Sequence, residues 1–164
     1  MELDIDIRPA GLDDIPAVRA LLLETWHDTY DPLIGAEKVT RITNSWHSSD
    51  NLMQQLSLPD TSFLVAEMQG TVVGHIYANA QKPPVLTIAR LYVLPDRQRR
   101  GIGKRLLHEV TTRYPTCNVV RLVVEAENAK GLAFYEREGF HPVGEAVVEG
   151  IRHLRMERPG PANG

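Results

Sequence analysis

A mixed α/β sheet with helices on both faces is the fold class this sequence predicts, and three observations carry it. Two strand-like runs, "SFLVAEM" and "TVVGHIYAN", are joined by Gln69-Gly70 and read as a hairpin. Further on, strand-like runs alternate with helical patterns, as crossover units do. The chain then closes on a second hairpin pattern that turns near Gly150. The resulting order is β-α-α-β-β-β-α-β-α-β-β, with hairpins first and crossovers later.

Taken in order, "LDIDIRPA" alternates Leu3, Ile5 and Ile7 with Asp4, Asp6 and Arg8, the period of a strand with one wet face. Asp13 and Asp14 can cap the helix that follows, whose apolar stripe is Ile15, Val18, Leu22 and Trp26. A weaker helical pattern runs from Ala36 to Leu56, and Pro59-Asp60 marks a turn. After the hairpin, "QKPP" cannot lie within a central strand, and "VLTIARLYVL" supplies the next strand up to Pro95. Ile102, Leu106, Leu107 and Val110 share one helical face, and that helix stops near Tyr114-Pro115. "NVVRLVVEA" reads as a buried strand. Asn128 then caps a helix through Tyr135, with Gly139 as its terminating glycine. Residues 1–158 read as one domain and 159–164 as a flexible tail.

Composition narrows the function. A net charge of −3 disfavours a nucleic-acid binder, so no nucleic-acid partner is expected. The acidic N-terminus and the lack of a long apolar run predict neither a signal peptide nor a membrane span, hence a cytoplasmic protein. Cys117 is the single cysteine, and no spacing resembles a metal site, so no metal is expected.

One stretch stands out. "RQRRGIGKRLL" sets Arg97, Arg99, Arg100, Lys104 and Arg105 around Gly101 and Gly103, just before a helix. It matches neither a Walker A loop nor the dinucleotide fingerprint. A solvated helix start with an incidental pair of glycines is one reading. A phosphate cradle is the other, since backbone N–H groups and the helix dipole favour an anion there.

The run Gln98-Arg99-Arg100-Gly101-Ile102-Gly103 resembles the Q/R-x-x-G-x-G/A signature of the GNAT family of acyl-CoA-dependent N-acyltransferases. "LYVLPD" is similar to that family's fourth strand, and "ENAKGLAFYEREGF" to its later helix and turn. The resemblance implies a GNAT-like fold: a central, mostly antiparallel twisted sheet with a parallel, splayed pair of fourth and fifth strands.

It also implies a site. Acetyl-CoA would be the co-substrate, its pyrophosphate held by Gln98, Arg99, Arg100, Gly101, Ile102, Gly103 and Lys104. Its pantetheine arm would lie along Leu91, Tyr92 and Val93, with Asn128 touching it or serving only as a helix cap. The acceptor would be a primary amine of a small molecule or peptide, acetylated directly in a ternary complex. Tyr135 matches the family's frequent general acid, although a packed helical aromatic is the plain alternative. Family members often place a glutamate at positions matching Thr87 or Ala89, where this chain has no base. Glu125 and His75 are the candidates left, with neither assigned. "ETWHDTY" resembles a helix of some bacterial polyamine acetyltransferases, so Trp26 and Tyr30, with nearby acids, are candidate acceptor contacts. Trp26 as a core anchor is the competing reading. A non-catalytic acyl-CoA-binding regulatory module is the alternative function, and the closing hairpin offers an edge for a homodimer.

Overall fold

The computed structural model describes residues 4–148 and 150–163. Leu3 of the first strand pattern and Gly164 of the tail lie outside the described residues.

The sheet is seven-stranded and mixed, in the order β1-β2-β3-β4-β5-β7-β6. Its strands are β1 (Ile5–Pro9), β2 (Thr61–Met68), β3 (Thr71–Lys82), β4 (Val85–Val93), β5 (Val119–Glu125), β6 (His141–Val148) and β7 (Ile151–Pro159). The helices are α1 (Ile15–Ile34), α2 (Ala36–Trp46), α3 (Ser49–Leu56), α4 (Ile102–Thr112) and α5 (Ala129–Arg137). Every adjacent pair of strands is antiparallel except β4 and β5.

The predicted hairpin turns at Gln69 and Gly70, with φ of 51° and 79°, the left-handed pair that a two-residue turn requires. The pattern over 36–56 forms two helices instead of one. His47 is buried against Trp26, with ring centroids 5.5 Å apart, and Ser48 restarts the chain by accepting the Asn51 N–H at its Oγ. Asp14 does not cap α1 forward. Its carboxylate accepts the Gly11 N–H and two hydrogen bonds from Arg8, at 2.8 and 2.9 Å. Residues 160–162 run alongside the start of β5, where Gly160 N–H donates to Asn118 O and Ala162 N–H to Cys117 O.

Two layers flank the sheet. On one face Ile102, Leu106, Leu107 and Val110 of α4 pack on Leu64, Ile76, Leu86, Val120, Leu122 and Met156. A Cβ on Gly74 would stand 3.1 Å from both Ile102 Cγ2 and Leu106 Cδ1, so glycine lets α4 sit this close. On the other face Ile15, Val18, Leu22 and Leu52 cover Phe63, Val65 and Tyr77.

The Arg8 pair holds the Asp14 carboxyl below the usual carboxylate range, chiefly through its hydrogen bond. A depressed acid stabilises the fold above its unfolded-state pKa, and that contribution fades as pH falls through the folded value. Asp14→Asn is therefore expected to cost about 1 kcal/mol at pH 7. In urea melts the deficit should shrink steadily below pH 4.

A cleft where two parallel strands part

Pairing between β4 and β5 covers only Val85–Ile88 against Val119–Leu122. Beyond it β4 continues to Val93 and β5 to Glu125, so the strands diverge and open a cleft of about 1040 Å³. Its walls come from β4, β5, the start of α4, α5 and the Thr25–Tyr30 stretch of α1.

The free edge of β4 can be read from its bonding. Leu94 N–H donates to Val73 O on the β3 side. Backbone groups alternate sides along a strand, so those of Val93 and Leu91 face the gap. Gln98 Nε2 donates to the Val93 carbonyl at 3.0 Å, and on this side β4 has no strand partner beyond Ile88 among the described residues. Leu91, Tyr92 and Val93 all line the cleft.

A turn at Pro95–Arg97 leads into α4. Gly101, at φ 81°, is its left-handed N-cap and supplies no side-chain cap, so the first N–H groups of α4 stay available. Gly103 lets the start of α4 approach α5, because a Cβ there would lie 3.3 Å from Phe134 Cζ. Of the five cations in this stretch, Arg97, Arg99 and Lys104 line the cleft. Arg100 is exposed and outside the lining, while Arg105 turns away to donate to Ile5 O. The Nε of Arg97 is buried with no hydrogen-bond partner among the described residues. An uncapped helix start, an orphaned guanidine N–H and three cations make an anion cradle.

At the other end, Tyr30 O–H donates to Glu125 Oε2 at 2.6 Å and His153 Nε2 lies 3.2 Å from Glu125 Oε1. Tyr30, Asp28 and Glu125 line the cleft. Burial first, and then Tyr92 and Glu125, push the Tyr135 phenol well above its ordinary value. Tyr92 is pushed up to about 12, again mainly by burial. These phenols therefore stay protonated as donors around one carboxylate. Asn128 does cap α5, accepting the Gly131 N–H at 3.0 Å, and it also lines the cleft.

Two candidates from the sequence fall elsewhere. Trp26 is buried among Tyr30, Trp46, His47 and Tyr92 and does not line the cleft, so it serves as the core anchor of α1. His75 is fully buried, with Nδ1 on Leu64 O and Nε2 accepting from Arg90 Nε at 3.1 Å. Burial and then Arg90 drive its pKa far down, so it cannot collect a proton from the cleft. Asp28, one of the acids beside Trp26 and Tyr30 in the sequence, does line the cleft, whereas nothing local distinguishes His153 from an ordinary surface residue.

Comparison with known proteins gives a consistent picture. A family profile described as the acetyltransferase (GNAT) domain matches residues 30–159. The spermidine N(1)-acetyltransferase of Thermoplasma acidophilum is 28% identical over 146 residues, covering 84% of this chain and 89% of that one. The peptidyl-lysine N-acetyltransferase YiaC of Escherichia coli is 31% identical over 139 residues, 84% of each chain. Among solved structures, the PaiA N-acetyltransferase of T. acidophilum in complex with coenzyme A superposes with a TM-score of 0.86 at 25% identity. That match covers 96% of this chain and 99% of that one.

Proposed function

Since this chain belongs to the GNAT family of N-acetyltransferases, we propose that it moves the acetyl group of acetyl-CoA directly onto a primary alkylamine, a polyamine in the first instance. On this reading residues 1–158 form the catalytic domain.

The observation that carries the proposal is the polarity of the cleft. One end is a cationic helix start and the other is lined by Asp28, Tyr30 and Glu125. A polyphosphate suits the first end and an alkylammonium the second. The fit to coenzyme A rests on the open α4 N-terminus, the orphaned Arg97 Nε and the close passage at Gly103. Gln98 through Lys104 hold the pyrophosphate, with Arg100 adding long-range charge from the rim. Leu91 and Val93 offer backbone partners to the pantetheine arm, Tyr92 walls it, and Asn128 bounds it from α5. When bound, acetyl-CoA supplies the activated acetyl thioester. The Val93 N–H is then a donor for charge developing on the carbonyl oxygen, and Tyr135 is the acid that protonates the departing thiolate. Tyr30 orients the acceptor through Glu125, with Trp26 supporting Tyr30 from behind.

The relatives named for spermidine and for peptidyl-lysine share, in those acceptors, an amine at the end of an alkyl chain. The test is a thiol-release assay with acetyl-CoA against spermidine, spermine, lysine-bearing peptides, amino acids and aminoglycosides. Turnover highest with the polyamines is the expected result. Tight acetyl-CoA binding without turnover of any amine would favour the non-catalytic module, and failure to bind acetyl-CoA would overturn both.

A further inference from the structure

Building on that acetyltransferase reading, we propose that Glu125 and His153 form a single proton-accepting pair: Glu125 takes a proton from the acceptor ammonium, and His153 Nε2 holds it. No base stands at Thr87 or Ala89 of β4, and His75 is sealed in the core. A primary alkylammonium is nearly all protonated at neutral pH, so a proton must go somewhere before nitrogen can attack.

The pair is made by register. Glu125, the last residue of β5, stands directly across from His153 of β7. His153 Nδ1 lies 2.9 Å from Ile151 O, a group that only accepts, so Nδ1 carries the hydrogen. A neutral ring with that tautomer points a bare Nε2 lone pair at Glu125 Oε1, 3.2 Å away. In the proton-free form two acceptors face each other, and a proton placed between them joins carboxylate and ring as an ion pair. Room for that one proton is what lets the pair act as a base.

From the cleft, access runs through Glu125. Its side chain, 14% exposed, lines the cleft, whereas His153, 12% exposed, does not. Protons from an acceptor therefore enter through the carboxylate. Titratable groups face Glu125 from four elements: Tyr30 of α1, Tyr92 of β4, Tyr135 of α5 and His153 of β7. The phenols are all held protonated by burial and add no charge. Tyr30, donating at 2.6 Å, pins Oε2 and leaves Oε1 to His153.

The step balances. An N–H bond of the ammonium breaks, nitrogen keeps the electron pair, and the proton comes to rest between Oε1 and Nε2. The pair passes from one net negative charge to none, and the amine from one positive charge to none. Imidazole coupled to a carboxylate is suited to proton transfer near neutral pH.

The test compares wild type, Glu125→Gln and His153→Gln, each first checked for unchanged coenzyme A binding. In Glu125→Gln, kcat/KM for the best amine should fall about 10²- to 10⁴-fold at pH 7 and then climb with the neutral fraction of the free amine. His153→Gln should lose about tenfold or more and change the pH profile as well. Independently of turnover, ¹⁵N NMR of the His153 ring should show Nδ1 protonated throughout and Nε2 as the position that gains and loses its proton. A pH profile unchanged in Glu125→Gln, or a neutral His153 carrying its proton on Nε2, would overturn the pair while leaving the acetyltransferase intact. A wild type that acetylates no amine would overturn both.

Discussion

Tyr135→Phe is expected to lower kcat for amine acetylation by about 10²- to 10³-fold while leaving acetyl-CoA affinity within about twofold. The substitution removes one oxygen and nothing else. The ring stays wedged between Phe134 and Phe140, at centroid distances of 5.2 and 5.6 Å, so α5 keeps its seat on the core. What goes is a phenol that burial, with Tyr92 and Glu125 nearby, keeps protonated far past neutral pH. Such a group is a poor base and a durable donor, which is what a departing thiolate needs. A raised phenol also predicts that no loss of activity from Tyr135 ionisation occurs between pH 7 and 9. Steady-state kinetics beside calorimetric titration with acetyl-CoA would separate the two effects. A kcat within threefold of wild type would return Tyr135 to the role of a packed aromatic and pass the proton to another group or to water.

The parts of this molecule that local chemistry dictates were legible before any coordinates. Strand alternation at Ile5 and Ile7, the left-handed turn at Gln69-Gly70 and the apolar face from Ile102 to Val110 each depend on residues close in sequence. The GNAT signature could be read for the same reason, since loop and helix start are contiguous. Register across long separations could not be read. Glu125 meets His153 only because β7 docks antiparallel on β5, a pairing that depends on how the closing hairpin turns. His75 stayed an open candidate because its strand pattern says nothing about Arg90, fifteen residues on, whose guanidinium stacks over Tyr77 at 4.7 Å and donates to the imidazole. The helix break after Trp46 was hidden too, because it is tertiary burial of His47 that ends α2.

Gly101→Val is expected to weaken coenzyme A binding by about 10- to 100-fold, and the reason is conformational. A Cβ at Gly101 would meet nothing within 4 Å, so no clash opposes a side chain there. The backbone opposes it instead. At φ 81° a residue with a Cβ is strained by about 1–2 kcal/mol, and a β-branched one by more. Relaxing to negative φ would turn the Arg100 and Gly101 peptides and swing the first N–H groups of α4 off the position an anion needs, where each 1.4 kcal/mol is a tenfold loss. Arg99 is already left-handed at φ 64°, so the loop has a second strained residue and little freedom to compensate. Gly101→Asn supplies the control, because asparagine tolerates the left-handed region and should keep most of the affinity. Calorimetry with coenzyme A on both variants distinguishes shape from bulk. If valine and asparagine weaken binding equally, bulk at the loop matters rather than its conformation. If both bind like wild type, the helix start does not hold the pyrophosphate, and the cations Arg97, Arg99 and Lys104 must carry it alone.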